Sequence, residues 1–249
     1  MPFKSKYPLK KNYIKPTVYE STRFCDLNIL NGKPMVRTNK DRTIVIKPLK
    51  RSNDDPVIVL ERIKRAINAG APVELPFYQQ VGKKQVLATK IIAFNRDNCI
   101  GFIHGGESLS DFLLKNNLSK IQIINLFTQF CIGLAKLHSA KIIHNDLFVK
   151  NIIVGRVPTG FKLRFVDFET SADVNPDWNT ISAKEFIDMF RQDLSDLITV
   201  SQDFGDKLTN SEKQAIFSKY VNSIPIANRY VKREILIELI KMFKKKYKR

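Results

Sequence analysis

Long apolar runs, cysteine and acid are all in short supply in this chain. No apolar run approaches the roughly 18 to 20 residues that a membrane-spanning helix needs. The first fifteen residues are basic and hold no apolar stretch of the signal-peptide kind, so a cytoplasmic protein is the default expectation. Cys25, Cys99 and Cys131 are few, odd in number and scattered. They suit reduced, mostly buried thiols better than a disulfide frame or a metal cage. Internal repeats and low-complexity tracts are missing too, which argues against a solenoid or a disordered tail protein.

The shortage of acid sets the charge. Asp and Glu number 24 against 42 Lys and Arg, a formal net of +18. Such a field favours anionic partners: acidic lipid, a phosphorylated sugar or, as a lesser alternative, nucleic acid. The excess gathers at both ends. Lys4, Lys6, Lys10, Lys11 and Lys15 precede the first acid, Glu20, and Lys241, Lys244, Lys245, Lys246, Lys248 and Arg249 close the chain. Clustered lysines of this sort suit the anionic inner face of a membrane, held peripherally, and equally a merely solubilising surface.

Apolar residues make up 43% of 249 residues, enough for the core of one two-lobed domain. The front reads as strand. Asn31-Gly32 is a tight-turn signal between Phe24–Leu30 and Pro34–Thr38, and Thr43–Ile46 is a β-branched run ending at Lys47. Pro56 to Ala69 predicts a helix with Val59, Leu60, Ile63 and Ile67 on one side, stopped by Gly70-Ala71-Pro72. Val86–Phe94 and Cys99–Ile103 predict two further strands. After His104-Gly105-Gly106 the pattern turns helical, with Ile121, Ile124, Phe127, Cys131, Leu134 and Leu137 at helical spacing. Capping boxes at Ser182/Glu185 and Thr209/Glu212 open two more helices, the first carrying Phe186, Met189, Phe190 and Leu197. A last helix carries Val231, Ile235, Leu239 and Phe243. The expected fold class is α+β and bilobal: a strand-rich front lobe over 1–104 and a helical rear lobe over 105–249, with a cleft between them.

The segment from Ile142 to Val154 carries the chemistry, together with Phe165-Val166-Asp167-Phe168-Glu169. Apolar triplets on either side of the loop predict short buried strands that hold it rigid. Asp146 and Asn151 then leave one turn, and Asp167 leaves the next strand beside them. Phosphoryl transfer asks for these residue types, because positioning and charge neutralisation dominate it. A carboxylate must accept the acceptor's hydroxyl proton, a role for Asp146. Oxygen ligands must hold Mg2+ against the phosphates of ATP, roles for Asn151 and Asp167. A strand cation must steady the phosphates, a role for Lys47, and an acid on the next helix must orient it. Glu61 is best placed for that, with Glu74 a weaker choice.

These residues resemble a known family. His144-x-Asp146-Leu147-x-x-x-Asn151 resembles the protein-kinase catalytic loop, Asp167-Phe168-Glu169 its magnesium-binding triplet, and Ile44-Val45-Ile46-Lys47 its strand lysine. Gly105 to Leu113 looks like the kinase hinge and the helix after it, which implies nucleotide contacts at Ile103 and Gly105 besides Lys47 and Glu61. The stretch Phe190 to Leu197, with Leu208-Thr209 and Phe217 to Val221, resembles the lipopolysaccharide core sugar kinases, which phosphorylate Kdo or heptose. That resemblance implies an ATP- and Mg2+-dependent kinase acting on a hydroxyl acceptor, a sugar-lipid or, alternatively, a protein serine or threonine. It also implies that Asp193 braces the catalytic loop from below. His144 reads as a packing and hydrogen-bonding residue. The departures are a single glycine, Gly32, ahead of Lys47 in place of a glycine-rich loop, Glu169 in place of glycine, and Asn145 where many protein kinases carry arginine. They leave a non-catalytic scaffold as the contrasting expectation.

Overall fold

β-Branched and aromatic runs become strands and the amphipathic runs become helices, in the α+β order that the pattern predicts. The structure is a computed structural model that describes residues 37–38, 44–48, 56–74, 78–81, 84–87, 99–103 and 106–246; it gives side chains for 58–74 and from 106 onward, Asp206 apart. The Asn31-Gly32 turn, the stretch 24–30 and Gly105 lie outside the described residues.

The front elements are β1 (Arg37–Thr38), β2 (Ile44–Pro48), α1 (Pro56–Asn68), the hairpin strands β3 (Tyr78–Val81) and β4 (Lys84–Leu87), and β5 (Cys99–Ile103). β1, β2 and β5 form one antiparallel sheet in that order, with Lys47 opposite Ile100 and Ile103 opposite Ile44. In α1, Val59, Leu60 and Ile63 are buried as their spacing predicts, and Ile67 packs against the same core. Within Val86–Phe94 the described strand is the end of β4 alone.

Next come β6 (Glu107–Ser108), α2 (Leu109–Lys115), α3 (Lys120–Ser139) and β7 (Ile142–Ile143). They are followed by β8 (Ile152–Val157), β9 (Gly160–Phe165) and β10 (Ala172–Asp173). β6, β8 and β9 form a second sheet, and β7 pairs with β10. The chain ends in α4 (Ala183–Met189), α5 (Arg191–Asp203), α6 (Asn210–Ser223) and α7 (Arg229–Lys246). Among the described residues no helix is long and apolar enough to cross a membrane.

α3 is the axis of the rear half. Phe127, Phe130, Cys131, Leu134 and Leu137 are fully buried on it. Phe130 meets Phe165 edge-on at 5.6 Å between ring centroids, and Phe127 meets Phe217 at 5.8 Å, arrangements that rings favour over face-to-face stacking. The helix begins with a third capping box, Ser119 with Gln122. Two expectations shift. Ile121 is exposed, because the buried stripe runs through Ile123 and Leu126. The helix expected to carry both Phe186 and Leu197 is two helices, broken at Phe190 (φ −103°, ψ 16°), and the break puts Asp193 in the first turn of α5.

The junction between front and rear is held at Gly106. Its φ is +133°, and a Cβ there would sit 2.0 Å from the Val154 carbonyl oxygen, a backbone atom that cannot swing away. Gly106→Ala is therefore expected to lower stability by about 2–4 kcal/mol, from positive-φ strain plus overpacking. Urea unfolding of the two proteins measures it; an unchanged midpoint would show that the junction is looser than described.

Candidate active site

The loop between β7 and β8 is fixed from below by two carboxylates of α5. Asp193 accepts the backbone N–H of His144 at 2.9 Å through one oxygen and that of Asn145 at 2.8 Å through the other. Its first oxygen also accepts from His138 Nε2 at 2.9 Å, and His138 Nδ1 accepts from the Tyr220 hydroxyl at 2.7 Å. Burial and the charge of Asp193 raise Tyr220 well above its ordinary pKa, so its hydroxyl stays a donor. Asp193 itself is buried, which opposes ionisation, yet the hydrogen bonds that it accepts from the His138 ring and the His144 N–H hold its carboxyl below the usual range. One turn further along α5, Asp196 accepts the Leu147 N–H at 3.1 Å and the Gln192 side chain at 2.9 Å. Burial pushes the Asp196 carboxyl up.

With its backbone pinned, the loop presents Asp146. Asn151 closes the 3-10 turn Val149–Asn151 and donates its side-chain nitrogen to Asp146 twice, to the carbonyl at 2.9 Å and to Oδ2 at 2.6 Å. Because the amide nitrogen is spent on Asp146, the Asn151 amide oxygen is left as a ligand. The backbone of Asn151 also accepts from Val166 N–H at 3.0 Å, which draws the end of β9 beside the loop.

Asp167 follows directly. It lies in the left-handed region (φ 72°, ψ 62°), a conformation that a non-glycine residue keeps only where its surroundings impose it. Three contacts do so. The Asp167 N–H donates to Glu74 Oε1 at 3.0 Å. His144 Nε2 donates to the Val166 carbonyl at 3.0 Å. Thr170 ties back to the loop, its hydroxyl to the His144 carbonyl and its own carbonyl to Asn145 Nδ2, at 3.2 and 3.0 Å. Asn145 is itself left-handed (φ 64°), which asparagine tolerates better than arginine would. The His144 ring packs on Phe168 at 4.7 Å.

Asp146, Asn151 and Asp167 thus issue from two turns sewn to each other. Among the described residues no cluster of three or more His, Cys, Asp or Glu side chains could hold a metal unaided. A pair of oxygen ligands suits magnesium, which keeps water and substrate phosphate in its remaining positions.

The front-lobe residues fall less neatly. Lys47 lies on β2 and Ile103 ends β5; Gly105 lies outside the described residues. Glu61, which the spacing favours as the orienting acid, is exposed, and the Lys47 side chain that it would orient lies outside the described residues. The Glu61 side chain is 52% exposed and takes Lys64 Nζ at 2.5 Å. The reason is helical phase: α1 buries Val59 and Ile63, and position 61 lies two residues, or about 200°, from either. Glu74 is the acid that reaches the Asp167 turn, and it is buried. The α1 face nearest that turn carries Arg62 and Arg65 instead. Both pair with Asp173 on β10, and Arg62 also donates to the Ser171 carbonyl. Sequence reasoning gives no role of their own to Asp196, His138, Tyr220 or Thr170; for the first three the available signal is their polarity within otherwise apolar helical stripes.

His144 sets a pH limit. Burial lowers its pKa from 6.5, and the charges of Asp193, Asp167 and Asp146 only partly offset this. The unfolded chain therefore binds a proton near pH 6.5 that the folded chain refuses, so stability falls as pH drops below about 6.5. Urea unfolding at pH 7.5 and 5.5 should show the loss in the wild type and a shallower loss in His144→Leu. Equal slopes would mean that His144 is accessible to protons when folded.

The geometry has counterparts among known proteins. A solved structure of WaaP in complex with acyl carrier protein matches 88% of this chain and 87% of that one at 17% identity, with a TM-score of 0.55. The serine/threonine-protein kinase pkn2 of Myxococcus xanthus is 35% identical over 72 residues, 29% of this chain, and the chain spans 9% of that kinase's length. The family model for protein tyrosine and serine/threonine kinases matches residues 29–187, a stretch that takes in β2, α1, the Asp146 loop and the Asp167 turn, and the chain therefore belongs to the protein tyrosine and serine/threonine kinase family.

Proposed function

We propose that the chain transfers the γ-phosphoryl group of ATP to a hydroxyl of a lipopolysaccharide core sugar. The observation that carries the transfer chemistry is the Asp146–Asn151 contact at 2.6 Å. It fixes the orientation of a carboxylate one turn from a second oxygen ligand pair. In this reading Asp146 accepts the proton of the acceptor hydroxyl. The hydroxyl oxygen bonds to the γ-phosphorus as the bond to the bridging oxygen breaks, and ADP leaves. Asn151 Oδ1 and the Asp167 carboxylate would hold Mg2+, which when bound neutralises charge on the phosphates. Lys47 would steady the phosphates, with Ile103 and Gly105 beside the nucleotide.

The sugar acceptor is supported by the resemblance of the stretches 190–197 and 217–221 to the lipopolysaccharide core sugar kinases, with the likeness of the fold to WaaP over most of both chains beside it. It is supported also by the exposed Lys241, Lys244, Lys245 and Lys246 at the end of α7, which suit an anionic inner membrane face where lipid-linked sugars are met. A second reading, transfer to a protein serine or threonine, rests on the 72-residue match to a serine/threonine kinase.

Purified chain incubated with labelled ATP, magnesium and either lipid-linked core sugar or serine-containing peptides decides between them. Asp146→Ala is expected to lower transfer about a hundred- to ten-thousand-fold; undiminished transfer would sink the assignment of the base. In a thermal-shift assay at a hundred times its Kd, ATP with magnesium should stabilise the wild type by about 2.7 kcal/mol. Asp167→Ala should lose the magnesium-dependent part. No shift in the wild type would favour the scaffold.

The two candidate acids are separable as well. Glu74→Ala is expected to cost about ten- to a hundred-fold in activity, because it releases the backbone of a metal ligand, whereas Glu61→Ala should leave activity within about twofold, as exposed substitutions do. The reverse result would return the orienting role to Glu61.

A further inference from the structure

The outward face of α7 has no part in the reaction. The inward face is core: Ile235, Leu239 and Phe243 are buried, and the helix packs on α4, α5 and α6. At the α-helical period, Tyr230, Arg233, Ile237, Lys241 and Lys244 fall within about 80° of arc on the opposite side. All five are open to solvent. Tyr230 is 79% exposed and Ile237 41%. A lone exposed apolar residue needs no reason, but here two share one line with three cations, Arg233 between them and Lys241 and Lys244 beyond. Acid is scarce on the helix, which has seven Lys and Arg against two Glu. Glu238 is taken by Lys241 at 2.7 Å, and Glu234 flanks the line. The mount is firm, since Lys246 Nζ bonds the Thr199 hydroxyl on α5 at 2.6 Å.

We propose that this face of α7 docks on an anionic lipid bilayer, with the helix lying along the membrane plane. Cations interleaved with apolar side chains match a layer of negative headgroups over hydrocarbon. Tyr230 takes the headgroup level, as tyrosine does at membrane interfaces. Ile237 reaches beneath it, and the lysine stems bend so that their ammonium groups stay among the phosphates. Lysines at the helix end alone would give attraction without orientation; Tyr230 and Ile237 give the contact a face and a depth. A nucleic acid would match the cations but offers nothing to aliphatic Ile237. A second copy would set one chain of net charge +18 against another. Among the described residues no helix can cross the membrane, so the docking is peripheral. Because α5 both packs on α7 and carries Asp193, the base loop is held at a fixed distance from the docked surface. The surface goes beyond the transfer reaction and depends on no particular acceptor.

The test is co-sedimentation of the full chain with vesicles of equal parts phosphatidylglycerol and phosphatidylcholine, with phosphatidylcholine vesicles and transfer RNA as the other arms. The wild type should bind the mixed vesicles, release them as salt rises, and leave pure phosphatidylcholine unbound. The double variant Tyr230→Asn with Ile237→Asn keeps every charge and should weaken binding about tenfold. The triple variant Lys241→Gln, Lys244→Gln and Lys245→Gln should weaken it about a hundredfold, and Glu234→Gln should strengthen it about fivefold, a gain that misfolding cannot mimic. Urea midpoints should be alike, because every substituted side chain faces solvent. No binding by the wild type, or equal binding by the double variant, overturns the docking face. Transfer RNA bound more tightly than vesicles, and unmoved by the double variant, overturns the lipid assignment. Kinase activity decides neither, so failure of phosphoryl transfer leaves this result standing.

Discussion

One buried carboxylate organises the rear half of this protein. Asp193 is removed from water, which alone would cost several kcal/mol for an unpaired charge. It is tolerable there because its two oxygens take three donors, the N–H groups of His144 and Asn145 and the His138 ring. Those donors come from α3 and from the loop after β7. Asp193 therefore does in one place what three separate contacts would otherwise have to do. It ends α3 against α5, fixes the start of the loop in an unfavourable left-handed turn, and sets the plane from which Asp146 departs.

The loop and the Asp167 turn are then made into one body by one backbone-to-backbone bond and several side chains that grip backbone groups. Val166 gives its N–H to Asn151 and its carbonyl to His144, while Thr170 grips the His144 carbonyl. A site built this way holds its geometry before any ligand arrives, which is the condition under which fixed dipoles and carboxylates contribute most to a reaction. His144 belongs to this scaffold. Its Nδ1 is buried and, among the described residues, without a hydrogen-bond partner, so the ring is held by Val166 on one side and by Phe168 packing on the other.

Local pattern carried most of the fold. β2 and β5 follow their β-branched runs, α1 its apolar stripe, and two capping boxes mark the starts of α4 and α6 where expected. The loop residues Asp146, Asn151 and Asp167 were legible because their spacing is short and each type has a chemical reason to be there. Asp193 entered through a family resemblance. The contact of His138 with Tyr220 was not legible, since the bond between them joins positions 82 residues apart and no spacing rule reaches so far. Glu61 lies on the exposed side of its helix, with Lys64, and Glu74 is the acid that meets the Asp167 turn. An acid on a helix facing the cleft looks better in sequence than one beyond a Gly-Ala-Pro stop, but the stop turns the chain back along β9, where Glu74 N–H bonds the Phe165 carbonyl at 2.9 Å.

The pairing of Arg62 and Arg65 with Asp173 has a meaning for control. It couples α1 to β10, and β10 lies on β7, the strand that feeds the catalytic loop. The anion at that joint is a carboxylate of the chain itself. Because Arg65 and Asp173 are open to solvent, that half of the joint loosens as the ionic strength around it rises.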